Sequence, residues 1–98
     1  MASLRVVFPR PSFFLVDVRV TLTLDGQPVH DGTFMAGFAV ALDVAPGRHV
    51  LASVIDLGLA RRTREWVLEV PASGGDATIS YSRFWGNFSK KLPLVARA

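Results

Sequence analysis

The chain of 98 residues contains no cysteine. That excludes a disulfide framework, a thiolate metal site and a cysteine nucleophile. Histidine is nearly as scarce. His30 and His49 are the only two, and neither stands in a His-x-His or His-Glu-x-x-His spacing, so the common zinc-site patterns are missing. No serine sits in a Gly-x-Ser-x-Gly elbow, the usual setting of a hydrolase nucleophile. Charged residues make up only 19% of the chain. Long apolar runs are missing as well. The longest uncharged stretch, Gly32–Leu42, has 11 residues, well short of the ~20 that a membrane-spanning helix needs. The apolar run Phe13–Val16 ends at Asp17 and follows Pro9, Arg10 and Pro11, which does not make a signal sequence. On these grounds the expected location is cytoplasmic.

Half of the residues are apolar, enough for one core, and a chain of this length forms a single domain over residues 1–98. The net charge of +3 is unevenly distributed. Residues 61–98 hold seven basic and three acidic groups, whereas residues 1–60 hold four basic and five acidic. The positive excess lies in the last third, too modest for a basic nucleic-acid tail.

The pattern between the turns has period two. In "DVRVTLTLDG", Val18, Val20, Leu22 and Leu24 alternate with polar residues, as in a half-buried strand. Asp25-Gly26 then predicts a tight hairpin with positive φ at its centre. The return strand "QPVHDG" contains Pro28, which restricts it to an edge or a bulge. Phe38, Val40, Leu42 and Val44 share the next face, and Pro46-Gly47 makes a turn, with positive φ expected at Gly47. In "REWVLEV", Trp66, Leu68 and Val70 oppose Glu65, Val67 and Glu69. "SGG", Ser73–Gly75, reads as a hairpin loop, and "ATISYSRF" as a strand with Ile79 and Tyr81 inward. "NFSKKLPLV" adds a final strand or hairpin, with Phe88 packed on the sandwich or a neighbour. No helical period is present. The expectation is an all-β fold, a single antiparallel β-sandwich of about seven strands.

The stretch Val20–Ile55, with Asp25-Gly26 at one turn and Pro46-Gly47-Arg48-His49 at another, resembles the small bacterial β-sandwich domains of the PEGA-like class. The resemblance covers roughly residues 10–70. It implies an immunoglobulin-like or PEGA-like antiparallel sandwich that serves as an accessory or binding module rather than as an enzyme.

The residues support little chemistry of their own. His49, after Pro-Gly-Arg, is expected to close its turn by hydrogen bonding. Glu65 and Glu69 are four apart on a strand, so ~13 Å separates them, too far for a paired acid and base. No catalytic residue, metal, cofactor or small-molecule substrate is expected. "VLASVIDL" is apolar on both sides, with Val50, Ala52 and Val54 on one and Leu51, Ile55 and Leu57 on the other. A leftover apolar face marks an association site. The first reading is therefore an assembly module that buries Leu51, Ile55, Leu57, Phe84, Trp85 and Phe88 against a copy of itself or a protein partner. The second is a binder of nucleic acid or an acidic membrane surface through Arg61, Arg62, Arg64, Arg83, Lys90 and Lys91, with Phe84 and Trp85 as stacking rings. A third is carbohydrate binding on Trp85.

Overall fold

The computed structural model describes residues 2–9, 18–82 and 87–96. Arg83, named above for the anionic-ligand reading, and Phe84 and Trp85, named for both, lie outside the described residues.

The described chain is all β. Strand β1 spans Ala2–Phe8, β2 Arg19–Leu24, β3 Gln27–Thr33, β4 Phe38–Val44 and β5 Gly47–Asp56. Then follow β6 (Arg61–Val70), β7 (Gly75–Thr78), β8 (Tyr81–Ser82), β9 (Asn87–Phe88) and β10 (Leu94–Ala96). One sheet, A, runs β10-β7-β1-β4, a second, B, runs β3-β2-β5-β6, and β8-β9 form a small ribbon. Sheets A and B pack face to face as a β-sandwich, and their inward residues share one core.

The alternation of each strand sets which side is inward. Leu4, Val6 and Phe8 of β1, Val20, Leu22 and Leu24 of β2, and Trp66, Leu68 and Val70 of β6 are all buried. The Asp25-Gly26 turn joins β2 to β3 with φ of 51° and 83°. Positive φ at both central positions defines the turn whose twist suits a hairpin. β3 is an edge strand, and Pro28 lies at its bulge, where the register shifts opposite Leu22 and Thr23. An edge spares Pro28 the ladder donor it lacks.

Three expectations need correction. Ala2–Phe8 is a strand, and it lies inside sheet A between β4 and β7. Its pairing with β7 is parallel, whereas the other strand pairs among the described residues are antiparallel. Ser73–Gly75 is no hairpin loop. Pro71–Gly74 carries the chain from sheet B to sheet A, as Ala45-Pro46 carries it from A to B. "ATISYSRF" breaks after Thr78, so the strand there ends early and Tyr81 belongs to the ribbon.

The ribbon closes one end of the sandwich with rings. Phe34 and Phe88 are fully buried. Phe8 lies 5.1 Å from each, and Tyr81 meets Phe34 edge-on at 4.9 Å. Tilted and edge-to-face pairs are the favoured aromatic geometries. Side chains fasten the ribbon to β6. Asn87 Nδ2 donates to the Thr63 carbonyl at 2.9 Å, Arg64 Nε to the Phe88 carbonyl at 3.1 Å and Trp66 Nε1 to the Ser89 carbonyl at 3.0 Å.

Candidate functional site

Strand β5 presents two apolar sides, and the structure assigns each. Leu51, Ser53 and Ile55 point inward and are buried. Leu51 pairs with Leu24 and Ile55 with Val20, whose side chains form the inner face of β2. This corrects the expectation for Leu51 and Ile55, which are core residues of the single chain and present nothing to a partner. Phe88 is likewise sealed within the chain. Leu57 lies in the β5–β6 hairpin loop and is exposed.

An apolar surface lies on the other side of the same strand. Val50, Ala52 and Val54 face outward with Thr21 and Thr23 of β2 on one flank. On the other flank Val67 of β6 stands opposite Val50 and is 61% exposed. The hairpin loop adds Leu59, wholly exposed, beside Leu57. The rim is charged with both signs. Arg19 binds Asp31 through two hydrogen bonds, and Arg48 Nε donates to Glu69 at 3.3 Å. Asp56 stands opposite Arg61 in the register. Arg19, Thr21, Val54, Asp56 and Arg61 enclose a shallow hollow of about 240 Å3. Exposed pairs of this kind add little stability, but they fix which charge lies where.

Sequence alone took the inward side of β5 for the outward one. The signal that separates the two is the alternation in β2. Its wet side carries Arg19, Thr21 and Thr23, and the neighbouring residues of β5 on that side are Asp56, Val54 and Ala52.

The proposed cations do not form one stripe. Arg61 projects from the outer side of β6, whereas Arg62 and Arg64 alternate onto the side of Trp66. Arg64 is half-buried and donates to the Phe88 carbonyl. Lys90 and Lys91 follow the ribbon and are exposed.

His49 closes its turn. Its Nε2 lies 2.6 Å from the Ala45 carbonyl and its Nδ1 2.5 Å from Asp25 Oδ2. Both neighbours are acceptors, so the two contacts are satisfied together when both ring nitrogens carry a proton. The Ala45 carbonyl, then the Asp25 carboxylate, holds its pKa above the ordinary 6.5. The donated proton of His49, then the Val50 amide, holds Asp25 below the ordinary carboxylate value. The ring thus clamps the β2–β3 turn to the crossover before β5. Because the folded pKa of His49 is raised, its contribution to stability is complete below about pH 6.5 and fades as pH rises through the higher folded value. Asp25 acts oppositely, and its contribution fades only in acid. Melting temperature is therefore expected to decline from pH 6 toward pH 8.5, and His49→Gln to flatten that slope. An unchanged slope in the variant would remove the clamp from the account.

His30 does not join His49. Its ring packs on Phe38 with centroids 4.8 Å apart. Among the described residues no three His, Asp or Glu side chains gather to hold a metal ion. No helix among them is long and apolar enough to cross a membrane.

The fold and this surface define a small two-sheet β-sandwich with an outward apolar strip on one sheet. No family model, curated protein or solved structure matches the chain.

Proposed function

We propose that this protein is a non-enzymatic assembly module that associates with a second copy of itself through the outer, β5–β6 side of sheet B. One observation carries the reading. The apolar strip Val50, Val54 and Val67, with Leu57 and Leu59 at its end, lies outward, on the side of sheet B away from the core of the described residues. Contiguous exposed apolar surface is a mark of association. The rim favours a copy over an anionic ligand. Arg19, Arg48 and Arg61 alternate with Asp31, Asp56, Glu65 and Glu69, a balanced set that is compatible with itself and repels a polyanion in part. The PEGA-like resemblance, which implies an accessory module, agrees with this reading.

Mass measured in solution across protein concentration tests it. A multimer is expected at about 100 μM, dissociating on dilution. A monomeric mass at that concentration overturns the proposal. So does tight binding of single-stranded DNA or anionic vesicles that weakens with salt, the signature of displaced counterions.

A further inference from the structure

We infer that two copies join edge to edge through β6, antiparallel, so that sheet B continues across the contact as one sheet. The inference rests on the self-association proposed above and places a contact at the β6 edge, beside the apolar strip and distinct from it.

The backbone of β6 is arranged for this. Leu57 N–H donates to the Ala60 carbonyl at 2.8 Å, which makes 57 and 60 a hydrogen-bonded pair at the hairpin end. From there the register runs unbroken from Asp56↔Arg61 to Gly47↔Val70. Antiparallel ladders alternate bonded and non-bonded pairs. Arg62, Arg64, Trp66, Leu68 and Val70 therefore bond to β5. Arg61, Thr63, Glu65, Val67 and Glu69 turn their N–H and C=O groups away from it. The Thr63 carbonyl confirms the parity, because it accepts from Asn87 Nδ2 on the side away from β5. Beyond that cap, the N–H and C=O groups of Glu65, Val67 and Glu69 have no backbone partner among the described residues. A row of unpaired groups on a regular strand is a template for another strand.

The other edges are guarded or offer no selection. β3 carries Pro28 and a bulge. β10 has three residues. β4 presents Ala39, Ala41 and Asp43 outward, with no pattern of opposite charges. β6 has neither Pro, Gly nor bulge over ten residues.

Charge selects the occupant. On the outer side of β6, Arg61 stands at one end and Glu65 and Glu69 stand further along. An antiparallel second copy brings Arg61 of each strand toward the glutamate end of the other. The parity restricts the register further. A two-fold axis at Glu65 sets that carboxylate against itself, and an axis at Val67 sets Glu65 against Glu69. Like charges directly opposite are destabilising. An axis at Trp66 avoids both. It places Glu65 opposite Val67 of the second copy, and Arg61 diagonal to Glu69 of the second copy, within reach of two long side chains. The Asn87 caps then mark the two ends of the shared ladder.

Sedimentation of the whole chain tests the contact. Val67→Pro removes an outward N–H without touching the β5 ladder, and Val67→Lys places a charge on the edge. Either is expected to weaken self-association about tenfold or more, with the melting temperature of each variant as the folding control. Should the proline variant not fold, the lysine variant decides. Arg61→Glu and Glu69→Arg are each expected to weaken association, and the double swap to restore it, which only an antiparallel copy explains. Association that ignores Val67 and the swaps yet disappears with Val54→Glu overturns the edge pairing and leaves the assembly reading standing. A monomer at about 100 μM overturns both.

Discussion

Phe88→Ala is expected to cost about 3–5 kcal/mol, the range for emptying a fully buried phenylalanine site. A domain of this size holds roughly 5–15 kcal/mol in all, so the variant keeps a small margin or unfolds. The ring is the reason. Phe88 is 0% exposed and touches four other rings, with centroids at 5.1 Å (Phe8), 6.1 Å (Phe34), 6.2 Å (Trp66) and 6.3 Å (Tyr81). Those neighbours come from β1, β6, the ribbon and the β3–β4 connection, so filling the gap would require several elements to shift together. The backbone anchors survive the substitution, because Arg64 reaches the Phe88 carbonyl and Asn87 reaches Thr63. The loss therefore reports on ring packing rather than on detachment of the ribbon. Denaturant titration measures it, with Phe88→Leu as the milder reference. A loss below about 1 kcal/mol would mean that the ribbon is not part of the core.

How much of this fold was legible depends on how local its cause is. β2 and its turn were readable because Val20, Leu22 and Leu24 alternate and Asp25-Gly26 follows at once. The same is true of Pro28, whose missing N–H tolerates only an edge, and of His49 in closing its own turn on the Ala45 carbonyl, though not of its second acceptor, Asp25, from a distant turn. β1 alternates as clearly, with Ala2, Leu4, Val6 and Phe8 buried. Nothing local, however, announces a parallel partner some seventy residues away. The loops at Pro46-Gly47 and Pro71–Gly74 show a second limit. Their residues specify a change of direction, not which sheet the next strand joins. That choice follows from burying both sides of the sandwich together. Which side of β5 faces outward was hidden for a related reason. Either side of "VLASVIDL" is apolar, and only pairing with β2 decides that Leu51 and Ile55 go in while Val50 and Val54 stay out. Composition gave the presence of an extra apolar face. Register gave its identity.

Gly74→Ala is expected to destabilise the chain by on the order of 2–5 kcal/mol, backbone strain and overpacking acting together. Gly74 has a φ of 84°, a region an alanine enters only with strain. It also lies buried against the central strand β1, and a Cβ there would run into the carbonyl oxygen of Ser3, with the Ser3 nitrogen at 3.2 Å. Both obstacles are backbone, so no side chain can swing aside. The crossover itself has little room to shift. Gly74 N–H donates to the Pro71 carbonyl at 2.9 Å, and the next residue, Gly75, opens β7 in register with Leu4. Displacing Gly74 therefore loosens the parallel pairing of β1 and β7 as well. Gly58 supplies the control. Its φ of 86° is nearly the same, but nothing lies within 4 Å of the position a Cβ would take. Gly58→Ala should carry the conformational cost alone, about 1 kcal/mol. The difference between the two variants in denaturant titrations isolates the contact with Ser3. Equal losses would show that β1 does not pack closely under the β6–β7 crossover, and the place of β1 inside sheet A would have to be given up.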